Sequence, residues 1–328
     1  MTHKSQSFTV PPQDKGKTIS AFLRSVVPAA SWSQVKQLIQ RQGILLNDRV
    51  VHDVAHRLAG GERVSVGEQP HVHKKQAAVP GVTVVYYDYD VVVVDKPAGL
   101  TTIRHPDEIR EYGAKSRFLP PTLADMLPRL ILKQEKRKKG EHRERPVKAV
   151  HRLDKETSGL LVFARTASAA SHLGRQFRAH SITRVYTALV IGHMADAQRI
   201  ESRIARDRGD GIRGSHPTIG KQAVTHITVK EHIADCSLIE CRLETGRTHQ
   251  IRIHVAEKGY PICGETVYLR RFKKRKLIDP TQSSRLALHA STLGFHHPHT
   301  GQYLEFNSPL PSDLKEVIEI IRKRERKK

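Results

Sequence analysis

Two short segments of the chain combine residue types that carry acid–base and phosphate chemistry. The first, residues 151–164, places Asp154 in a polar turn, two positions after Arg152 and shortly before an apolar run. A carboxylate at such a turn can act as a nucleophile or as a general base. The alternative is structural, because an aspartate in a turn commonly accepts hydrogen bonds from nearby backbone N–H groups. The segment by itself leaves both interpretations open.

The second segment, residues 243–254, contains two arginines and two histidines: Arg247, His249, Arg252 and His254. The two histidines are five positions apart, so a strand would place them on opposite faces and a helix would orient them poorly for one ion. We therefore predict no metal site here. The arginines are suited to pair with a buried carboxylate or with a phosphate.

The overall charge points to a polyanionic partner. The 328 residues include 56 Lys+Arg and 33 Asp+Glu, which gives a formal net charge of +23. Such a surplus attracts nucleic acid first and anionic membrane second. The hydrophobic fraction of 38% is enough for a folded core. No stretch approaches the roughly 18 apolar residues of a membrane span, so we predict nucleic acid as partner and no membrane role.

The cysteine content favours a reducing compartment. The three cysteines, Cys236, Cys241 and Cys263, are odd in number and form no CxxC pair. This argues against a disulfide framework and against zinc. The first seventeen residues lack the apolar core of a signal peptide. We therefore expect a cytoplasmic protein.

The N-terminal part of the chain predicts a small domain. Residues 1–14 are polar, contain two prolines and are interpreted as a flexible tail. Residues 15–66 predict a helix capped by Thr18, a second helix over 31–43, a strand, a turn and two further strands. This order resembles the S-four type of RNA-binding domain, found in a small-subunit ribosomal protein and in several RNA-modifying enzymes. The resemblance implies an α/β RNA-binding domain, and we assign RNA contacts to its residues Lys36 and Arg41. The alternative is an ordinary solvated basic face.

A linker and a large second domain follow. Residues 67–80 contain two prolines and no periodicity, which is typical of a linker. Residues 81–328 predict several strands, a helix over 167–180 and a C-terminal amphipathic helix, without regular strand–helix alternation. That irregular order argues against a doubly wound parallel sheet. The predicted strands are 91–94, 159–164, 184–192, 222–230 and 236–246.

Two basic segments interrupt the large domain. Residues 133–148 hold mostly lysine, arginine and glutamate, and are interpreted either as an exposed loop near phosphate or as a solvated charge run. Residues 270–276 place six basic side chains in seven positions. We predict that this second segment is an RNA-contacting loop that uses Lys273, Lys274 and Arg275.

Several blocks of the large domain, in order, resemble the RNA pseudouridine synthases of the large-subunit ribosomal RNA type. The blocks are VVVVDKPAGL, HRLDKETSGLLVFA, TRVYTALVIG, GKQAVTH, ETGRTHQIRIHVAEKGYPICGETVY and LALHASTLGFHHP. Together they span nearly all of residues 81–310. The resemblance implies an α+β fold, in which helices flank a mixed, mainly antiparallel catalytic sheet.

The resemblance also implies roles for single residues. Asp154 matches the catalytic aspartate, and Tyr186 matches the tyrosine that packs on the target base and is a candidate for proton transfer. Arg252 matches the arginine that pairs with the catalytic carboxylate. Arg152 lies where some members use an arginine to occupy the space of the flipped base. We assign further substrate contacts to Lys96, Arg247 and His249, which lie in the same blocks.

The implied reaction isomerises uridine to pseudouridine. The bond from ribose C1′ to uracil N1 breaks, the base turns, and C5 is joined to C1′ instead. The atoms are conserved, so the resemblance implies no redox cofactor, metal or nucleotide. A stacked base must be flipped into a pocket before it can react. The carboxylate can attack the sugar or remove a sugar proton, and the sequence does not choose between them.

Two other function classes compete with the enzyme. A non-catalytic RNA-binding or ribosome-assembly factor would be expected to have lost at least one of Asp154, Tyr186 and Arg252, and all three are present. A DNA-binding protein lacks support because no usual recognition-helix motif is found. We therefore predict an RNA pseudouridine synthase, expected to be a monomer, that acts on ribosomal RNA, with transfer RNA as an open alternative.

Overall fold

The computed structural model describes residues 6–27, 34–35, 38–39, 44–47, 49–51, 56–66, 81–112, 119–135, 145–207, 212–269 and 278–325. The chain forms two compact units. One contains Met1–Lys75 and Tyr87–Asp90, and the other contains Gln76–Tyr86 and Val91–Lys328. No helix within the described ranges is long and apolar enough to cross a bilayer.

The N-terminal unit contains a four-stranded antiparallel sheet and a capped helix. Its strands lie in the order β1-β4-β2-β3. Helix α1 (Ile19–Val26) begins at Thr18, whose hydroxyl accepts a hydrogen bond from the backbone N–H of Ala21. Its apolar face is buried in the core, as its spacing predicts. The strands are β1 (Gln6–Thr9), β2 (Ile44–Leu46), β3 (Arg49–Val50) and β4 (Arg63–Val66).

The prediction of a flexible tail over residues 1–14 is wrong for its second half. Gln6–Thr9 pair with β4 in register, and Pro12–Asp14 form a single 3-10 turn. Phe8 and Val10 alternate with polar residues, which is the period of a strand with one buried face. The partner strand lies more than fifty residues later in the chain. Local periodicity over four residues therefore gave too weak a signal.

The second unit is built on an eleven-stranded mixed sheet, and the predicted fold class is confirmed. The order is β11-β10-β12-β13-β9-β14-β8-β6-β5, with β15 added to β14 and β7 added to β8. Only the β8–β14 ladder is parallel among those whose register is described. The strands are β5 (Thr83–Tyr87), β6 (Val91–Lys96), β7 (Lys148–Ala149), β8 (Ser158–Ala164), β9 (Thr183–Ile191), β10 (Gln198–Ala205), β11 (Gly214–Ser215), β12 (Lys221–Ile233), β13 (Cys236–Leu243), β14 (Leu288–His296) and β15 (Tyr303–Asn307).

Apolar runs place β6 and β8 inside the sheet. All seven residues of β8 are buried, and so are Val91–Val94 of β6. Gly159, at the start of β8, has φ +112°, and a Cβ there would lie 2.3 Å from the carbonyl oxygen of Ala290. Glycine therefore allows β8 to approach β14 closely. The turn that carries Asp154 enters the sheet at this point.

Five helices complete the unit among its described residues. They are α2 (Pro106–Tyr112), α3 (Leu123–Gln134), α4 (Ala167–Arg178), α5 (Gln250–Glu257) and α6 (Ser312–Glu325). Helix α3 begins with a capping box formed by Thr122 and Asp125. Helices α4 and α6 lie where their periodicity predicts, whereas α2 falls in a polar segment for which we predicted no element.

Part of the predicted organisation lies outside the described residues. The linker over 67–80 falls wholly outside them, and so does the basic loop over 270–276. Residues 136–144 of the basic insert are also outside. At its end, Lys148–Ala149 pair with β8 as β7, so the insert returns to the sheet.

Candidate active site

The turn between β7 and β8 presents Asp154. The backbone N–H of Thr157 donates to the carbonyl of Asp154, and the Thr102 hydroxyl donates to the carbonyl of Leu153 at 2.7 Å. The Asp154 side chain retains 16% exposure. Among the described residues, no backbone N–H donates to its carboxylate, so the local capping alternative is not observed. The carboxylate instead faces Arg252 and His249.

The side chain of Lys96 supports the turn that carries Asp154. Its side chain is fully buried, and its ammonium donates to the carbonyls of Pro97, Leu100 and Lys155 at 2.8, 2.9 and 3.1 Å. Burial lowers the pKa of Lys96 to about 8, although nearby Glu156 and Asp154 oppose the shift. All three N–H donors have protein partners, so these contacts give no support to the predicted substrate contact of Lys96. The side chain ties the turn after β6 to the residue that follows Asp154.

Arg252, in the first turn of α5, lies between two carboxylates. Its Nε and Nη2 both donate to Glu265 at 2.8 Å, and its Nη1 lies 3.6 Å from Oδ2 of Asp154. Glu265 also accepts the backbone N–H groups of Val267 and Tyr268. Burial raises the pKa of Glu265, but the bonds from Arg252 and the backbone outweigh burial and lower it overall. The predicted pairing of Arg252 with Asp154 is thus accompanied by a stronger pairing with Glu265.

His249 precedes α5 and faces the same carboxylate. Its Nε2 lies 3.9 Å from Oδ2 of Asp154, and its Nδ1 lies 2.8 Å from the hydroxyl of Tyr268. The residue has φ +58°, in the left-handed region that few non-glycine residues adopt. Burial lowers the pKa of His249, although Asp154 opposes the shift.

Tyr186 lies on β9, opposite Cys241 of β13 and Ala290 of β14. The side chain is buried, with 8% exposure. Burial raises the pKa of Tyr186 to about 12, with Arg184 acting to lower it and Asp154 to raise it. The phenol is therefore protonated at neutral pH. Asp154 is thus among the charged groups that influence Tyr186.

Comparison with known proteins decides the family. Residues 90–257, slightly more than half of the chain, match the family described as RNA pseudouridylate synthase. The chain belongs to the RNA pseudouridine synthase family. It is 36% identical over 317 residues to the uncharacterised RNA pseudouridine synthase YlyB of Bacillus subtilis, a match that covers 96% of this chain and 97% of that protein.

Further relatives agree with this family. The chain is 32% identical over 326 residues to the ribosomal large subunit pseudouridine synthase D of Escherichia coli K12, covering 96% of this chain and 93% of that protein. Among solved structures, human RNA pseudouridylate synthase domain containing 4 shares the fold with a TM-score of 0.54 at 23% identity, over 73% of this chain and 92% of that one. As a pseudouridine synthase, the protein is an isomerase that acts on RNA.

The remaining predicted site residues of this pseudouridine synthase lie at different distances from Asp154. Arg152 is exposed in the Asp154 turn. Arg247 lies in the loop before α5, where its Nε donates to the carbonyl of Gln222 at 2.9 Å. The residues predicted to contact RNA all lie outside the described ranges. These residues are Lys36, Arg41, Lys273, Lys274 and Arg275.

Three residues of the site were not predicted from the sequence. Glu265 and Tyr268 follow α5 in a short turn, and Arg184 lies two positions before Tyr186 on the same face of β9. The buried Arg184 donates from Nη2 to the carbonyl of Glu244 at 2.9 Å, and its Nε has no hydrogen-bond partner in the part of the chain that the structure describes. For Glu265 and Arg184, the only local signal in the sequence is a single charged residue within a largely apolar stretch. This signal does not indicate which residue Glu265 or Arg184 contacts.

Proposed function

We propose that this protein converts uridine to pseudouridine in large-subunit ribosomal RNA, with Asp154 as the essential carboxylate. The observation that carries the proposal is the Asp154 carboxylate, partly exposed and 3.6 Å from a guanidinium that Glu265 holds in place. The choice of ribosomal RNA is supported by relatives named ribosomal large subunit pseudouridine synthase D. The formal charge of +23 suits a polyanionic substrate.

The geometry around Asp154 suits a carboxylate that reacts at the sugar. A nearby arginine favours the ionised form of a carboxylate. Because Glu265 takes both the Nε and Nη2 of Arg252, only the Nη1 side of that guanidinium faces Asp154. The carboxylate oxygens thus retain capacity for ribose C1′ or for a sugar proton. Tyr186 would pack against the flipped uracil, and the exposed Arg152 would occupy the space that the base leaves in the RNA.

A second part of the proposal concerns the RNA backbone beside the flipped nucleotide. Burial lowers the pKa of Arg184, and the nearby charge of Arg247 lowers it further. Neither forms an ion pair with a carboxylate among the described residues. Two adjacent cations without a counter-ion favour an anion between or beside them, and phosphate fits both guanidinium groups.

A groove lies beside Gln222, the residue that Arg247 contacts. It has a volume of about 670 Å³, lies between β10, β11 and β12, and is partly lined by Gln222, whose carbonyl accepts the Nε of Arg247. Arg203 and His216 also line it. We infer that single-stranded RNA flanking the target uridine lies in this groove. The basic loop with Lys273, Lys274 and Arg275 would supply further phosphate contacts.

The N-terminal unit would act as a second RNA-binding element of the S-four type. Its support is the order of elements in its described part, in which one strand and a capped helix precede the other three strands of a small antiparallel sheet. Residues 15–66 also carry eight basic and three acidic side chains. Lys36 and Arg41 are the proposed contacts. We also propose a cytoplasmic monomer, and the three free, buried cysteines are consistent with a reducing compartment.

The test uses RNA labelled with tritium at C5 of uracil. Isomerisation releases this tritium to water, so release counts turnover. We expect release from large-subunit ribosomal RNA transcripts by the wild type and none by Asp154→Ala. Release by both proteins would overturn the role of Asp154. Release by neither would be followed by unmodified transfer RNA as substrate, and failure on both RNAs would contradict the proposed function.

A further inference from the structure

His249 is placed and oriented more tightly than a substrate contact requires. Its ring lies between the Asp154 carboxylate, 3.9 Å from Nε2, and the Tyr268 hydroxyl, 2.8 Å from Nδ1. The Tyr268 ring meets the imidazole edge-on, with 5.8 Å between centroids. The backbone adopts a left-handed conformation at this point, with φ +58°. This backbone conformation, together with the two side-chain contacts, restricts the orientation of the ring.

Tyr268 is itself fixed. Its side chain is 3% exposed, its backbone N–H donates to Glu265, and the guanidinium of Arg252 lies 5.5 Å from its ring centroid. If Nδ1–H of His249 donates to the Tyr268 oxygen, the other nitrogen, Nε2, carries the free lone pair. That lone pair then points to the side of the site where Asp154 lies.

The isomerisation needs a group that accepts a proton at this place. After C5 has joined C1′, the C5 carbon still carries its hydrogen, and pseudouridine forms only when that proton leaves. A base next to Asp154 lies close to C5, because C5 is then bonded to C1′ of the sugar on which the carboxylate acts. Tyr186 is poorly suited to accept the proton, since burial raises the pKa of its phenol to about 12 and keeps it protonated.

We propose that His249 is a catalytic residue that accepts the C5 proton of the rotated uracil, with Tyr268 as its positioning residue. In this step the C5–H bond breaks and its proton goes to Nε2. The electron pair closes the C5=C6 double bond, the C6=N1 bond opens, and N1 takes a proton from water. His249 then returns its proton to water. The inference rests on the proposed function and deepens it.

The charges that face His249 are consistent with a neutral imidazole. Arg252 on α5 and Arg213 before β11 both act to lower its pKa, whereas Asp154 and Glu265 act to raise it. Burial is the largest contribution and lowers the pKa. The uncharged hydroxyl of Tyr268 is its hydrogen-bond partner. His249 is therefore available as a base at neutral pH.

The test measures single-turnover pseudouridine formation with His249→Asn on RNA carrying either hydrogen or deuterium at C5. Asparagine tolerates the left-handed conformation better than most residues but supplies no base. We expect the rate to fall by about 10²–10³-fold. Proton loss from C5 then limits the rate, so deuterated RNA should react several-fold more slowly than normal RNA with the variant and not with the wild type. Tyr268→Phe keeps the imidazole and should lose about tenfold.

The control is His180→Asn, because His180 is an exposed histidine that also has a left-handed φ, of +55°. It should react at the wild-type rate. Thermal unfolding and RNA binding check that the His249 and Tyr268 variants fold. A His249→Asn rate within about twofold of the wild type, or an equal loss with both isotopes, overturns the inference while the proposed function stands. If His249→Asn does not fold, a Tyr268→Phe rate equal to the wild type overturns it. No pseudouridine from the wild type overturns both.

Discussion

The two sides of Arg252 are built differently although each presents a carboxylate to it. On one side, Glu265 has no exposed side-chain surface, accepts two bonds of 2.8 Å from the guanidinium and accepts two backbone N–H groups. On the other side, Asp154 is 16% exposed and lies 3.6 Å from Nη1. No backbone N–H among the described residues donates to the Asp154 carboxylate.

This difference gives the two carboxylates different roles: Glu265 fixes Arg252 in place, and Asp154 is left free to react. A carboxylate whose lone pairs are all engaged fixes its partner and has nothing left for a substrate. Glu265 therefore orients Arg252, and Asp154 receives the resulting positive charge while its oxygens stay available. The four predictions below test this division and its support, from the largest expected effect on the rate to the smallest.

Asp154→Asn should abolish turnover with little effect on folding. The amide has nearly the same shape but neither the charge nor the basicity of the carboxylate. We expect the single-turnover rate of tritium release to fall by at least about 10³-fold. The free energy of unfolding in urea should change by less than about 1 kcal/mol. A large loss of stability would instead make Asp154 a structural residue like Glu265.

Glu265→Gln should affect both stability and rate. One partner of a buried, bidentate ion pair is lost, which typically costs about 3–5 kcal/mol. Arg252 is then no longer held in its orientation toward Asp154, so the rate should fall by about tenfold to a hundredfold. The matched control is Glu240→Gln, which breaks the exposed pair with Lys230 at 3.0 Å and should cost less than about 1 kcal/mol. Equal effects of the two variants on unfolding would contradict the holding role.

Lys96→Met tests whether the Asp154 turn needs its own support. The change removes the ammonium that donates to the carbonyls of Pro97, Leu100 and Lys155 and places an apolar side chain at a buried position, so we expect the free energy of unfolding to fall by about 2 kcal/mol. The rate should fall by about tenfold, because one of these carbonyls belongs to Lys155, next to Asp154. Lys148→Met, at an exposed lysine of β7, serves as control. Loss of RNA affinity without loss of stability would support the substrate contact that we first predicted for Lys96.

The last prediction concerns stability rather than rate, through the pH dependence of the same turn. His151 accepts the backbone N–H of Val162 through Nε2, and burial, helped by Arg184, lowers its pKa to about 3. Below about pH 6.5, His151 binds a proton in the unfolded chain but stays neutral in the native protein. Stability is therefore lost as the pH falls toward 3. The loss approaches about 1.4 kcal/mol per pH unit.

Urea unfolding of the wild type and of His151→Gln at about pH 7, 6, 5 and 4 measures this slope. The variant should show a smaller slope but retain part of it, because burial also lowers the pKa of His254, to about 4. The control, His180→Gln, should match the wild type. A variant whose stability falls as steeply as that of the wild type would show that His151 is not the responsible group.

Local patterns predicted much of the framework of the catalytic unit. The apolar run of β8, the helical spacing of α4 and the capping hydroxyl of Thr18 each act within a few residues, so the sequence displays them directly. The strand Gln6–Thr9 was missed because its partner is distant, and α2 was missed because its segment is largely polar. Short polar segments carry little periodicity to detect.

The sequence alone placed Asp154, Tyr186 and the pair His249 and Arg252 in three segments that together suggested an RNA-modifying enzyme. Only the tertiary structure decided that Arg252 pairs most strongly with Glu265, that Tyr268 contacts His249, and that Lys96 donates to the carbonyl next to Asp154. The physical reason is the range of the interactions. Helix periodicity and turn formation depend on near neighbours, whereas the partner of a buried charge is whichever group the folded chain brings within about 3 Å.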